Sequence, residues 1–254
     1  MTKRNYIAIF FIFSIVIWIS CKKNETPHLS VLPLIEGAEL HFRGFVTNDQ
    51  QELVSQIHTF SRKVVRRDTI DQRPVFVYMT NNQPTYFYTD KKNGTVWQHN
   101  TDDIGLRIVM YGFAYQPLNI SYWQILLKID KGVGTEWSFS VDTTFTAITS
   151  EGKSQRIRYL NNGKARYDGL KEAFIPESNK YVPAHDAYWY ELDTFILNET
   201  TSDTLFASSG TAHQYFDPKL GSIKYITDFT KSEIGQPTIP LHGTWELVSK
   251  NIPE

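Results

Sequence analysis

Residues able to do chemistry are scattered along this chain. Its seven histidines are His28, His41, His58, His99, His185, His213 and His242. No two stand at i, i+2 or i, i+4, the spacings that put two imidazoles on one face of a strand or helix. No metal site is assigned. Acidic residues pair at Asp102 and Asp103, and at Glu191 and Asp193. On a strand, residues 191 and 193 share a face about 6.8 Å apart. Glycosidase carboxylates stand roughly 5–9 Å apart, but solvated strand faces carry such pairs routinely. Gly132-Val133-Gly134 lacks the third glycine of a dinucleotide loop and precedes a strand, so it reads as a loop. No G-x-S-x-G, P-loop, H-E-x-x-H or C-x-x-C occurs. The expectation is no catalytic residue and no cofactor. The single cysteine, Cys21, excludes an internal disulfide and a multi-thiolate zinc site.

The setting of that cysteine is the most informative feature. Lys3 and Arg4 precede Ile7 to Ser20, an uncharged run IAIFFIFSIVIWIS. As a helix it would rise about 21 Å, short of the roughly 30 Å of a bilayer core. A basic start, an apolar middle and a small residue at the end are the parts of a secretory signal. Ile19, Ser20 and Cys21 resemble the lipobox of bacterial lipoproteins. The resemblance implies cleavage between Ser20 and Cys21, with diacylglycerol and an acyl chain on Cys21. One acyl chain anchors marginally, at about 0.8 kcal/mol per buried methylene, and two or more hold stably. Residues 1–20 are then a signal peptide. Residues 21–33, in which KKNETPHLS follows Cys21, form a tether. Lys22 is not the aspartate that retains enterobacterial lipoproteins at the inner membrane. The expected location is therefore the outer membrane of the cell envelope, on either face.

Positioning elements follow from the rest. Residues 34–254 show no composition break and read as one β-rich domain, with Val, Ile, Thr, Tyr, Phe and Trp at the apolar positions. Trp137, Phe139, Val141, Thr143 and Phe145 alternate with Ser138, Ser140, Asp142 and Thr144. Ile223, Tyr225, Thr227 and Phe229 alternate likewise. Tyr188, Tyr190 and Leu192 read as a buried face against Trp189, Glu191 and Asp193. Leu53, Ile57, Phe60 and Val64 have helical spacing, yet β-branching in their segment favours a strand. A short helix fits 169–174, stopped by Pro176. Asn93-Gly94, Asn161-Asn162-Gly163 and Asp217 to Gly221 each read as a hairpin turn. The expected fold is all-β and mainly antiparallel. Its sheet is strongly curved or closed into a barrel, with room for one or two short helices, and a two-sheet sandwich ranks behind. The segments YFDPKLGSIKYI and WQILLKIDKGVGTEWSFSVDTTF resemble parts of uncharacterised exported β-rich lipoproteins. That resemblance is structural and implies no site residue.

Charge and aromatic content set the function classes. Lys and Arg number 26 against 27 Asp and Glu, for a net charge of -1. That balance offers no field for a nucleic-acid backbone. The 6 Trp, 14 Tyr and 16 Phe exceed what surface alone uses, and are mostly core. The rest are candidates for a binding pocket or platform: Tyr86, Tyr88, Trp97, Tyr188, Tyr190 and Trp245. The first reading is a non-enzymatic, membrane-anchored binding lipoprotein for an apolar or glycan ligand. An envelope scaffold or accessory subunit with a protein partner, and a glycan hydrolase using Glu191 and Asp193, follow it. Growth with radiolabelled palmitate is expected to label the full chain, and Cys21→Ala is expected to abolish the label. An unlabelled wild-type chain would refute the anchor.

Overall fold

A computed structural model describes residues 35–80, 83–90, 92–176, 178–218 and 220–253. Cys21, the signal segment and the tether lie outside them. Among the described residues no helix is long and apolar enough to cross a membrane.

Twelve antiparallel strands form one sheet: β1 (Glu39–Thr47), β2 (His58–Ile70), β3 (Arg73–Thr80), β4 (Gln83–Asp90), β5 (Thr95–Asp103), β6 (Asn119–Lys128), β7 (Glu136–Ile148), β8 (Ser154–Ile175), β9 (Lys180–Asn198), β10 (Asp203–Asp217), β11 (Gly221–Glu233) and β12 (Ile239–Asn251). Their order is β6-β5-β4-β3-β2-β1-β12-β11-β10-β9-β8-β7. Two six-stranded meanders are thus joined where β1 pairs with β12, Phe42 opposite Leu247 and Gly44 opposite Trp245. The sheet curls into a nearly closed barrel. Its edges, β6 and β7, face each other across a seam. The Trp137 indole N–H donates to the Ile125 carbonyl there at 3.0 Å.

A helix, α1 (Ile104–Ile108), and a 3-10 turn (Val109–Tyr111) follow β5. Asp103 caps α1 by accepting from the Leu106 N–H at 3.1 Å. Ile104 and Ile108 are fully buried and pack with Val141, Ile157, Tyr159 and Ile196. The loop beyond α1 bridges to the end of β7 through Phe113 and Thr149, which covers part of that edge.

Turn chemistry reads correctly at two of three sites. Asp90 accepts from the Asn93 backbone at 3.2 Å, and Gly94 takes φ +56° between β4 and β5. Asp217 accepts from Leu220 N–H at 2.8 Å, and Gly221 takes φ +81° between β10 and β11. Asn161-Asn162-Gly163 is not a turn. It lies inside β8, where Asn162 faces both Ser140 and Asp193 across the ladders. Gly163 serves packing instead: a Cβ there would run into the rings of Phe139 and Trp189.

Two further corrections concern β8 and β9. Residues 169–174 are not a helix. They continue β8, paired from Gly169–Asp186 to Ile175–Lys180, and Pro176 falls in the turn that follows. Long pairing outweighs the weak local helix preference. On β9 it is Trp189 that is buried, at 1% exposure, while Tyr188 and Tyr190 are half-buried. Bulges between Lys164 and Ala165 and between Gly210 and Ala212 insert residues on β9, so the alternation restarts before Leu192. The ambiguous stretch resolves as a strand. Phe60 and Val64 belong to β2, whereas Leu53 and Ile57 precede it and are exposed.

His185 is buried at 3% exposure and shares a 2.7 Å hydrogen bond with the Tyr167 hydroxyl. Desolvation holds its pKa below the ordinary value. The unfolded imidazole takes up a proton near pH 6.5, while the folded one does so only at lower pH. Stability is therefore expected to fall as pH drops below about 6.5. Urea midpoints at pH 7.5 and 5.0 measure this, and His185→Asn is expected to shrink the difference relative to wild type.

Candidate binding cavity

Nine strands contribute to the lining of a partly open cavity of about 440 Å³, within the size range of small-molecule sites. Its firmest wall stands where the meanders join. Phe42 of β1 lies directly opposite Phe60 of β2, and their rings stack at 5.0 Å with an interplanar angle of 10°. Trp245 of β12 meets Phe60 edge-on at 5.3 Å. Its indole lies over Gly44, where any Cβ would collide with the ring. The residue opposite Trp245 on β1 is thus a glycine for steric reasons. Trp189 of β9 forms another part of the lining.

Polar groups complete the lining. Arg62 follows Phe60 by two residues on the same face of β2. Its guanidinium lies 5.3 Å from the Phe42 centroid and 5.6 Å from that of Phe60, a cation–π arrangement. Desolvation lowers its pKa from the ordinary value, and an arginine remains a cation nonetheless. Gln98 of β5 donates to Asn100 at 2.6 Å, and Asn100 donates to the Gln124 carbonyl of β6 at 2.8 Å. Gln214 of β10 donates to Ser222 at 3.3 Å. Burial pushes the Tyr225 phenol up to about 12, which keeps it neutral. The lining contains no carboxylate, imidazole or thiol among the described residues. The arrangement suits holding a molecule by ring contacts and hydrogen bonds, and offers no general base.

Of the aromatic residues singled out by sequence, only Trp245 lines this cavity. Tyr86 and Tyr88 flank Phe87, which is the buried residue of β4, and pair with His99 and Trp97 on the other face of the sheet. An arginine organises that outer group. Arg73 sits 5.0 Å from Trp97 and 4.8 Å from Trp123, and the Trp123 indole donates to Asp71 at 2.9 Å. Tyr188 likewise stacks on His213 at 4.5 Å with Arg166 above it at 5.0 Å. Beneath them the fully buried Asp186 pairs with Lys171 at 2.7 Å and His213 at 2.9 Å. Tyr188 also neighbours Tyr190, at 6.5 Å. These are ring-and-cation clusters on the outside of the barrel.

The acidic candidates have partners of their own. Glu191 pairs with Lys164 at 2.6 Å and Asp193 accepts from Ser209. Asp102 accepts from the hydroxyls of Tyr159 at 2.9 Å and Tyr122 at 3.3 Å and pairs with Arg107 at 3.1 Å. No group of three His, Cys, Asp or Glu is placed to hold a metal ion among the described residues. Sequence reasoning missed Phe42, Phe60 and Arg62. The signal was present as an aromatic-x-cation alternation in β2, F60-S61-R62, but nothing local says that Phe42 lies opposite.

No protein-family model matches this chain, and no curated protein does. Two solved structures are similar in outline. One is a candidate lipoprotein from Parabacteroides distasonis, 12% identical, with a TM-score of 0.46, covering 88% of this chain and 99% of the other. The second is a candidate exported protein with YmcC-like fold from Bacteroides fragilis, 8% identical, with a TM-score of 0.35 and the same coverages. At those identities no cavity residue carries across from either.

Proposed function

We propose that this chain is an exported envelope lipoprotein that binds a small molecule with an apolar, ring-sized body inside its barrel and leaves it chemically unchanged. The observation that carries this reading is the aromatic wall of Phe42, Phe60 and Trp245 beside a cavity of about 440 Å³. Rings with exposed faces inside a barrel gain by covering those faces with another flat apolar body. The lining holds amides, hydroxyls and two cations, a set that orients a ligand without activating it. Support for export and anchoring comes from the basic start, the apolar run and Ser20-Cys21. Support for the outer membrane is the lysine at position 22. In this reading the anchor keeps the binding barrel at the membrane surface.

The test uses the full chain in lipid nanodiscs, with empty nanodiscs as the blank. The neutral probe 2-naphthamide is expected to bind saturably and to quench tryptophan fluorescence, since Trp189 and Trp245 line the cavity. Gly44→Ala is expected to push the Trp245 ring off its seat, weaken the probe several-fold and leave the barrel folded. No saturable binding to the wild-type chain would overturn the reading.

A further inference from the structure

We infer that the cavity is built for a monoanionic ligand: a carboxylate headgroup received by Arg62 and Thr80, with the apolar body against Phe42, Phe60 and Trp245. This deepens the binding reading above and rests on it. Arg62 and Thr80 are direct cross-strand partners on β2 and β3, and both line the cavity. Directly opposed side chains share a sheet face with their Cβ atoms about 5 Å apart. The Thr80 hydroxyl is buried and has no hydrogen-bond partner among the described residues, a state that costs free energy in a finished core.

The charge balance of the cavity points the same way. Its two cations are Arg62 and Lys224. Lys224 has an anion, Glu246, at 3.6 Å, and Glu246 also holds Arg43 at 2.5 Å. Elsewhere Arg107, Arg158 and Arg166 each meet an aspartate within 3.1 Å. No carboxylate stands against Arg62 among the described residues; the ring faces of Phe42 and Phe60 lie against it, and the neutral Tyr78 phenol is close enough to act on its charge. A guanidinium carries its N–H groups in its own plane, where an acceptor can meet them at the edge. A planar carboxylate matches that edge with two parallel hydrogen bonds. One negative charge balances the Arg62 guanidinium; Glu246 is shared by Arg43 and Lys224, so the phosphate probe below tests whether a second charge is also received. The neutral amides of Gln98 and Gln124 add hydrogen bonding without adding charge.

Four probes with one ring system separate the outcomes, measured on the full chain in nanodiscs. They are 2-naphthoate, 2-naphthamide, 2-naphthylmethylammonium and 2-naphthyl phosphate. The expectation is that 2-naphthoate binds about tenfold or more tightly than 2-naphthamide, as a charge-assisted pair contributes, and that the ammonium binds most weakly. Arg62→Gln is expected to erase the carboxylate advantage while keeping 2-naphthamide binding, and Thr80→Val to reduce it in part. Thr80→Val also reports if Arg62→Gln fails to fold. Equal binding of naphthoate and naphthamide to the wild-type chain overturns the anion assignment and leaves the binding reading standing. Tighter binding of the phosphate than of the carboxylate overturns the carboxylate. Failure of all four probes overturns both readings.

Discussion

Space left by two missing side chains decides where the large rings of this barrel lie. At Gly44 the indole of Trp245 occupies the volume a Cβ would need, and at Gly163 the rings of Phe139 and Trp189 do the same. Packed interiors tolerate little added volume, and a misplaced methyl group costs about 1–3 kcal/mol. Both glycines sit in mid-strand, where backbone entropy and lost side-chain contacts count against them. Their presence is repaid by the rings they seat. Trp189 contacts Trp137 at 6.0 Å and Phe139 at 5.8 Å. Trp245 contacts Phe60, which stacks on Phe42. One set of rings fills the barrel and the other stops short of filling it, so a cavity remains between them.

Polar groups inside the barrel follow a division of labour that electrostatics requires. Towards α1, Asp102 gathers two tyrosine hydroxyls and Arg107, and Asn161 donates to the Tyr122 hydroxyl at 2.9 Å. Desolvation and the nearby Asp102 charge both raise the phenols of Tyr122 and Tyr159 above their ordinary values, so they serve as neutral donors. That network satisfies its own members and closes one part of the interior. Around the cavity the amides form a shorter chain, Gln98 to Asn100 to Gln124, which orders the wall without neutralising any charge. Cross-strand ion pairs such as Arg158–Asp142 and Lys164–Glu191 lie on exposed strand positions. Pairs of that kind contribute little stability and chiefly favour one strand register.

Much of the architecture was legible before any coordinates. Period-two alternation located β7 and β11, and turn residues at Asn93-Gly94 and Asp217 to Gly221 located two hairpins, because both signals are local. Reading Asn161-Asn162-Gly163 as a turn failed for a definite reason: the glycine is there for a ring that arrives from β7 and β9, which no local window contains. The facing of Tyr188 and Trp189 inverted because bulges shift the period, and bulges depend on the neighbouring strands. Helix α1 went unread because five residues are too few for a periodic pattern, although Asp103 was its cap. The cavity was legible at one residue, Trp245. Phe42, Phe60 and Arg62 meet only through the pairing of β1 with β2 and β12, a fact about the whole sheet. Cys21 and the signal segment remain a reading of sequence.

Closure of β1 on β12 also sets an order of events during synthesis. Leu40 and its partner Lys250 are separated by almost the whole described chain, and loop-closure entropy makes such distant pairings slow. The first meander emerges with Phe42, Phe60 and Arg62 already on neighbouring strands, but Trp245 and the far wall are the last residues delivered. A nascent chain therefore has the guanidinium and two rings facing water, and no enclosure, until β12 docks. The compartment in which the C-terminal strand arrives is the compartment in which the barrel first becomes able to hold a passenger.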